Sequence, residues 1–513
     1  MNKNERKIGK LDAYFGVTKA GSTIKTEVVA GIVTFLAMAY ILTVNPNQIL
    51  WTGVADPKWA SVFLATAFGA IIGTLLMAFV AKMPFAQASG MGLNAAVGGV
   101  IGGGLSLFGV SAFSYGFEFT FGNAMFLVLI SGVVFLILSI VPVGKNKETG
   151  ALITLREKIF DGMPKAVRTA IPVGIGLFIA FIGFQNAHVI VDNQFTLVQF
   201  VDFTKWDANT AQATVCLFGL VLIAILSYFK VKGAVIIGIL GATVLALPLK
   251  VADINTLLGK TDGITWAFWK NFSEFFSMDA TLGHGGVFLA AFTDGLHFPE
   301  GSFLTCVMIV ITFSMIDMFD TMGTVVGCAT NAGLVDSEGK PNNYNKIMYA
   351  DSIATCTGAL LGTSTVTTFV ESGAGVAAGG KTGLTALTTA GMFFLAIFCL
   401  PLFAFIPSAA AASALVWVGV LMMKNVTNIE LDNPLHAVPA FLTIVMMILC
   451  YSITDGIGIG IISYVVLSLL TYLVKLIAHA CGKGEKPQFE ISIVALVVTA
   501  LFLVYFLVPT VIA

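Results

Sequence analysis

Apolar stretches separated by short polar segments recur along almost the whole chain. Each is close to ~20 residues, the length that an α-helix needs to cross a bilayer. Seven predicted spans in the first half are 28–45, 60–80, 86–103, 122–143, 166–184, 211–229 and 233–250. Seven in the second half are 302–326, 346–362, 363–379, 384–406, 408–423, 437–453 and 456–476. A more polar segment, 251–301, separates the halves. An additional apolar segment at 489–511 follows, and whether it crosses the membrane as an extra span stays open.

Composition and charge placement support this pattern. The chain is 57% hydrophobic and 11% charged, whereas a soluble domain carries roughly 25% charged residues. We therefore predict an all-α polytopic membrane protein. With a cytoplasmic N-terminus, 22 of the 27 lysines and arginines fall on the cytoplasmic side, as the positive-inside rule requires.

Other composition signals exclude several classes of protein. Residues 1–27 are charged and lack the apolar core of a signal peptide, so we expect them to stay in the cytoplasm. The sequence contains no basic cluster with interleaved aromatic residues, so nothing in it points to nucleic acid as a partner. The seven cysteines form no CxxC pair and the five histidines are scattered, so we expect no disulfide framework, metal site or cofactor.

An internal repeat relates the two halves. Residues 88–96 read ASGMGLNAA and residues 371–379 read ESGAGVAAG, so Ser-Gly-x-Gly recurs after 283 positions. Residues 218–233 and 441–456 form a second echo, with Tyr228 and Tyr451 each five residues before a glycine. Because each half has an odd number of spans, the second half starts from the opposite side, which is the inverted repeat of secondary transporters. Chance likeness between glycine-rich apolar segments is the alternative.

The matched segments in spans 3 and 10 begin with extended stretches, 84–88 and 365–370, before Gly-x-Gly and a short helix. We predict a short strand in each, because β-branched residues bounded by glycine favour strands. Paired, glycine-interrupted short segments indicate a transporter's binding site. The N-termini of their half-helices would expose backbone N–H groups to a polar ligand.

Three carboxyl groups lie inside apolar runs: Asp317, Asp320 and Glu371. An acid there costs about 2.5–3.5 kcal/mol on insertion scales, and such residues usually face a polar pathway. Asp317 and Asp320 are three apart, hence neighbours on one helix face. No Lys or Arg lies in the middle of a predicted span to pair with all three acids. Capping of a half-helix is the structural alternative to binding.

Further motifs carry weaker signals. Asn94, in the matching repeat segment, offers a donor and an acceptor, for a ligand or for an interhelical bond. Asn45-Pro46-Asn47 predicts the end of the first span. Residues 375–382 match GxxxxGK[ST], but a phosphate loop needs a strand–loop–helix in a soluble domain, so the apolar context disfavours nucleotide binding.

Four stretches give the chain a family resemblance: TFLAMAYILTVNP (34–46), GMGLNA (90–95), FDTMGT (319–324) and TTFVESGAGVAAGGKTGLTA (367–386). Over nearly its whole length the chain resembles the nucleobase–cation symporter 2 (nucleobase–ascorbate transporter) superfamily, in its AzgA-like branch of adenine, guanine and hypoxanthine permeases. It lacks the Asn-x-Gly-x-x-x-x-Thr signature of the ascorbate and uric acid/xanthine branch, which argues against those substrates.

The resemblance implies about 14 spans as a 7+7 inverted repeat. A core domain would comprise 28–143 (spans 1–4) and 302–406 (spans 8–11), and a gate domain 166–250 (spans 5–7) and 408–476 (spans 12–14). Residues 251–301 would form an extracytoplasmic connector. The resemblance also implies proton-coupled uptake, with Asp320 and Glu371 contacting the base, and Asp317 and Asn94 as further polar residues important for transport.

We therefore expect a non-enzymatic purine nucleobase permease of the bacterial inner (plasma) membrane, surrounded by lipid and driven by protons. Glu371 and Asp320 would accept hydrogen bonds from the base, and one of them would also carry the proton. Backbone N–H groups would bind its acceptor atoms; they belong to Ser372, Gly373, Gly375, Gly90 and Gly92.

Two other functions stay open at this point. One is an anion transporter or channel of the same fold, and the other is an intramembrane hydrolase using Asp317 and Asp320. The preferred purine is not determined by the sequence, nor is the assembly, for which a homodimer is one possibility.

Overall fold

The structure, a computed structural model, describes residues 9–50, 54, 56–101, 119–145, 152–193, 195–261, 264–277, 286–335, 341–482, 488–489 and 491–507. Parts of the predicted segments 1–27, 86–103, 251–301 and 489–511 lie outside these residues.

Helices dominate the described chain. Those of the first half and the connector are α1 (Lys10–Phe15), α2 (Ile24–Met38), α3 (Ile41–Leu50), α4 (Trp59–Leu76), α5 (Met91–Ile101), α6 (Phe121–Ile140), α7 (Leu155–Gly162), α8 (Lys165–Asn186), α9 (Ala208–Tyr228), α10 (Ala234–Ala246), α11 (Ile254–Leu257), α12 (Phe268–Phe275) and α13 (Ala290–Thr293). Those of the second half are α14 (Phe303–Ala332), α15 (Tyr344–Leu361), α16 (Ser372–Ala377), α17 (Gly383–Ile397), α18 (Leu400–Ala404), α19 (Ser408–Met422), α20 (Pro434–Leu449), α21 (Ile453–Ala480) and α22 (Ile493–Leu507).

Short strands pair in three antiparallel ribbons. They are β1 (Gln87–Ser89) with β6 (Val366–Thr368), β2 (Pro142–Lys145) with β3 (Leu152–Thr154), and β4 (Ile190–Asn193) with β5 (Leu197–Phe200). The first ribbon joins the two halves of the chain, and the strands predicted in spans 3 and 10 are thereby confirmed.

Membrane-spanning helices account for most of both halves. Within the described residues, eight helical segments are long and apolar enough to cross a bilayer, and shorter apolar helices lie between them. The first half supplies five long and two short apolar helices, hence seven membrane segments. In the second half, α15 and the β6–α16 segment stand beside α14, α17, α19, α20 and α21 and complete the set of seven. The described part of α22 has 15 residues.

The structure corrects two of the approximate span boundaries. The first span does not stop at Asn45, because α3 continues through Pro46 to Leu50; membrane helices tolerate proline where neighbouring groups compensate for the missing hydrogen bond. The predicted span 384–406 is instead broken between α17 and α18, where Pro401 in the first turn of α18 cannot continue a helix. The predicted span 302–326 agrees with the apolar part of α14, Thr305–Val326, and the helix itself continues to Ala332.

The strand pair β1–β6 lies where the repeats meet. Its register pairs Gln87 with Thr368 and Ser89 with Val366, and the Gly90 and Phe369 amides extend the ladder. A pseudo-twofold axis in the membrane plane, which relates two inverted repeats, makes equivalent strands pair in an antiparallel manner. Gln87 and Val366 are 279 positions apart, so β6 begins four residues earlier than the repeat offset of 283 predicts.

Close packing holds this pair against α4. A Cβ atom added to Gly73 would lie 2.8 Å from Val366 Cγ1 and 2.9 Å from Gln87 Oε1, so only glycine permits this approach of helix to strands.

The helices associate in two bundles. The strand bundle comprises α2–α6 and α14–α17 with β1 and β6, and the flanking bundle comprises α8–α10 and α19–α21. Each bundle contains corresponding segments of both halves, as an inverted repeat requires. The two meet where α5, α14 and the segment between β6 and α16 face α8 and α19.

Candidate functional site

A narrow cavity lies at the boundary between the two bundles. The strand bundle contributes Met91, Gly92, Asp320, Thr324, Thr368, Phe369, Val370 and Glu371 to its wall, and the flanking bundle contributes Ile175, Ile179, Val418 and Met422. All carboxyl and hydroxyl groups of the wall therefore belong to one bundle, and the opposite wall is apolar. The cavity volume is about 30 Å³.

Glu371 is held in place by a tyrosine from the first span. It lies immediately before α16 and is 7% exposed. The Tyr40 hydroxyl donates to Glu371 Oε1 at 2.5 Å, and Tyr40 is itself buried between α2 and α3. Glu371 Oε2 is buried and has no hydrogen-bond partner among the described residues. The side chain is thus fixed by one oxygen and has the other available for a ligand.

Asp320 reaches the same cavity from the middle of α14. It is partly exposed, and it interacts electrostatically with Glu371. Thr324, one helical turn further along α14, and Thr368, the last residue of β6, complete the polar wall. Two carboxyl and two hydroxyl groups thus converge on one small space.

Asp317 and Asn94 lie behind this wall. Asp317 is buried, and its Oδ2 accepts from Thr355 Oγ1 of α15 at 3.1 Å. Asn94 Oδ1 accepts a hydrogen bond from Ser364. Neither residue lines the cavity, so a direct contact with the base is not supported in this conformation, and their importance for transport stays a prediction.

Most of the backbone amides predicted as ligand donors have acceptors within the protein. The Ser372 amide donates to Phe369 O at 3.1 Å, and the Gly373 amide to Val370 O at 2.9 Å. The Gly90 amide donates to Thr365 O in the strand ladder. Gly375 packs against α2. Gly92 does line the cavity, in the first turn of α5, where amides have no acceptor within their own helix.

A family model described as the Permease family matches residues 25–459. The chain belongs to this family of permeases. It is 37% identical over 452 residues to the guanine/hypoxanthine permease PbuO of Bacillus subtilis (strain 168), with 88% of this chain and 93% of that protein covered. It is 34% identical over 463 residues to the adenine permease AdeQ of Escherichia coli (strain K12), covering 90% and 91%. These matches confirm the superfamily predicted from the sequence motifs.

A solved structure supports the fold of the permease. The transmembrane domain of a cyanobacterium bicarbonate transporter, BicA, matches with a TM-score of 0.56 and 13% identity, covering 84% of this chain and 97% of that one. At this identity the likeness concerns the fold alone. It confirms the multi-pass membrane architecture of seven plus seven segments.

Sequence reasoning missed three buried polar residues of the permease. Tyr40 resembled an ordinary aromatic residue of an apolar span. Asp351 is fully buried in α15 and could have been found by the same rule that identified Asp317. Arg156 falls in a predicted loop, yet it is 1% exposed and lies 3.9 Å from Asp351. The expectation that no cation pairs with the buried acids was therefore incomplete.

The GxxxxGK[ST] match has a structural explanation in the permease. Glu27 of α2 is buried, and its carboxylate accepts from the Lys381 and Thr382 amides at 3.1 Å each. The Thr382 and Thr385 hydroxyls donate to it at 2.9 and 2.6 Å. A carboxylate of the protein thus occupies the place where the amides of a phosphate loop would hold a phosphate.

A larger groove of about 760 Å³ lies between α6, α14 and α22, and its wall is almost wholly apolar. Residues such as Phe303, 81% exposed, face outward there, as expected of a surface in contact with acyl chains. Among the described residues no group of three or more His, Cys, Asp or Glu is placed to hold a metal ion.

Proposed function

We propose that this permease takes up a purine nucleobase together with a proton. The observation that carries the proposal is the one-sided cavity, in which Asp320 and Glu371 face an apolar wall across a narrow gap. A purine is a flat ring with hydrogen-bonding edges and apolar faces, so its two kinds of surface fit the two kinds of wall.

In this proposal the free oxygen of Glu371 and the carboxylate of Asp320 accept hydrogen bonds from N–H groups on one edge of the base. The Gly92 amide, in the first turn of α5, donates to a ring nitrogen or carbonyl acceptor of the base. Phe369 and Met422 pack against the ring faces, as aromatic and thioether groups do. Two carboxylates would repel an anion, so the anion-transporter alternative is disfavoured.

Access to the site would alternate by relative movement of the two bundles. A cavity of about 30 Å³ holds no more than about two water molecules, so a base can enter only when the bundles separate. The strand bundle would be the core that carries the base, and the flanking bundle the gate. The gate wall beside the cavity is aliphatic, including Ile175 and Val418, and can move without breaking hydrogen bonds to the base.

The proposal is tested by measuring the uptake of labelled adenine, guanine and hypoxanthine. The cells used for this have no purine uptake of their own. Glu371→Gln and Asp320→Asn each remove one charged acceptor. A hydrogen bond to a charged group is worth about 1.5–3 kcal/mol, which corresponds to a loss of uptake efficiency of about 10- to 140-fold. The matched controls are the exposed Glu430→Gln and Asp202→Asn, with membrane abundance measured for every variant.

Wild-type uptake in both cavity variants would remove the assignment. Competition by sulfate rather than by purines would favour the anion alternative. Uptake that persists against a gradient in the presence of a proton uncoupler would remove the proton from the proposal.

A further inference from the structure

A second buried charged cluster lies behind the strand pair, outside the cavity wall. Its members are Arg156 of α7, Asp351 of α15 and Asp317 of α14, each 1% exposed or less. The Arg156 guanidinium lies 3.5 Å from the centre of the Phe135 ring, and its Nη2 lies 3.9 Å from Asp351 Oδ2. Asp317 interacts electrostatically with both other members.

The hydrogen bonds of this cluster are incomplete. Asp351 Oδ1 accepts from Gln87 Nε2 at 2.9 Å, and Asp317 Oδ2 from Thr355 Oγ1 at 3.1 Å. Among the described residues, Asp351 Oδ2, Asp317 Oδ1 and Gln87 Oε1 are buried acceptors without a hydrogen-bond partner, and Arg156 Nε and Nη2 are buried donors without one. An ionised carboxylate can only accept, whereas a protonated carboxyl group also donates. One proton would therefore remove one unmet acceptor and supply a donor for another.

The charge balance of the cluster also indicates that it binds one proton. The titratable groups around Asp351 are Arg156, Asp317 and Asp320 from neighbouring elements, and Tyr344 at the start of α15 itself. One guanidinium and the two carboxylates of the cluster leave one unbalanced negative charge. Uncompensated charge is strongly disfavoured in a protein interior, and one proton brings the cluster to neutrality.

The cluster shares a wall with the substrate cavity. Gln87 Nε2, which donates to Asp351, also lies 3.4 Å from Thr368 Oγ1, and Thr368 lines the cavity. Asp317 is three residues from Asp320 on α14, hence on the adjoining face of the helix. A single residue, Gln87, therefore connects the charged cluster to the wall of the cavity that holds the base.

We propose that Asp351 and Asp317, held against Arg156, form the binding site of the coupling proton, separate from the Asp320–Glu371 pair that binds the base. The proposal rests on the proposed function and assigns its two ligands to two different sites. One carboxylate takes up one proton from the outer side and releases it on the inner side, so that one positive charge crosses with each neutral base.

Purified protein in liposomes separates movement of the base from coupling to protons. Exchange of labelled hypoxanthine without a gradient reports movement, and accumulation driven by a pH gradient reports coupling. A gradient of one pH unit can accumulate a neutral base about tenfold when one proton moves with it. Asp351→Asn should keep exchange and lose this accumulation, whereas the exposed control Asp202→Asn should keep both.

The outcomes distinguish the two proposals. Wild-type protein without nucleobase exchange would overturn the proposed function. Exchange in the wild type together with undiminished tenfold accumulation in Asp351→Asn would overturn the proton site and leave the proposed function standing.

If Asp351→Asn does not insert into the membrane, a second experiment tests the proposal with Arg156, Asp351 and Asp317 unchanged. Asp320→Asn protein, carrying carboxyl-¹³C aspartate, is titrated near neutral pH by infrared difference spectroscopy. A protonated-carboxyl band at the ¹³C-shifted position assigns the proton to the remaining buried aspartates. A band that stays at the unlabelled position belongs to glutamate and overturns the proposal.

Discussion

Tyr40→Phe tests whether Glu371 must be held in position to bind. The substitution removes one hydroxyl from a ring that is 1% exposed and leaves the packing of the ring unchanged. The hydroxyl donates to Glu371 Oε1 at 2.5 Å and lies 3.5 Å from Met91 Sδ. Without it, both Glu371 oxygens lack a side-chain donor among the described residues, and the carboxyl group can turn away from the cavity.

The expected magnitude follows from this single bond. A hydrogen bond to a charged group contributes about 1.5–3 kcal/mol, and every ~1.4 kcal/mol is a factor of ten. The ratio of maximal rate to KM should therefore fall by about 10- to 140-fold. Because Tyr40 acts through Glu371 rather than on the base, we expect the loss chiefly as a higher KM.

Initial rates of labelled hypoxanthine uptake over a range of concentrations give both constants. Tyr228→Phe is the matched control, since Tyr228 is 82% exposed at the end of α9. The double variant of Tyr40→Phe and Glu371→Gln should be no worse than Glu371→Gln alone, because residues that act through one another are not additive. An unchanged KM in Tyr40→Phe, or fully additive losses in the double variant, would refute the reasoning.

Two pairs of variants test packing and the glycine-rich segment. Gly375→Ala would place a Cβ atom 2.0 Å from Thr34 Oγ1, so the free energy of unfolding in detergent should fall by about 1–3 kcal/mol; Gly373→Ala meets no atom within 4 Å and should change nothing, and the opposite order would contradict the packing of α16 on α2. Glu27→Gln weakens four hydrogen bonds and should lower the free energy of unfolding by about 1.5–3 kcal/mol. Lys381→Ala should leave stability and uptake unchanged, because only its backbone amide bonds Glu27; lost uptake there would revive a role for the lysine side chain.

Much of the fold could be predicted because its signals are local. Span length, lysine and arginine placement, and β-branched residues before Gly-x-Gly each depend on a short stretch of sequence, and they located the membrane segments and the strands β1 and β6. Local signals also misled where context decides, as at Pro46, which α3 accommodates within the packed bundle.

The site was predictable only on its acidic side. A carboxylate in an apolar span is conspicuous, so Asp320 and Glu371 were found. Ile175 and Val418 are ordinary aliphatic residues, and only tertiary packing brings them opposite the acids. The same holds for Arg156, whose burial against Asp351 depends on how α7 folds back onto the strand bundle.

The shared ribbon of β1 and β6 also bears on how such a molecule can arise. A single half would bring a three-residue strand into the hydrocarbon with nothing to satisfy its peptide groups, and lipid offers no hydrogen bonds in return. An ancestor with one repeat would therefore have needed a second copy inserted upside down before either was stable. Severed halves of the present gene, made together in one cell, should reassemble, whereas either half made alone should be degraded.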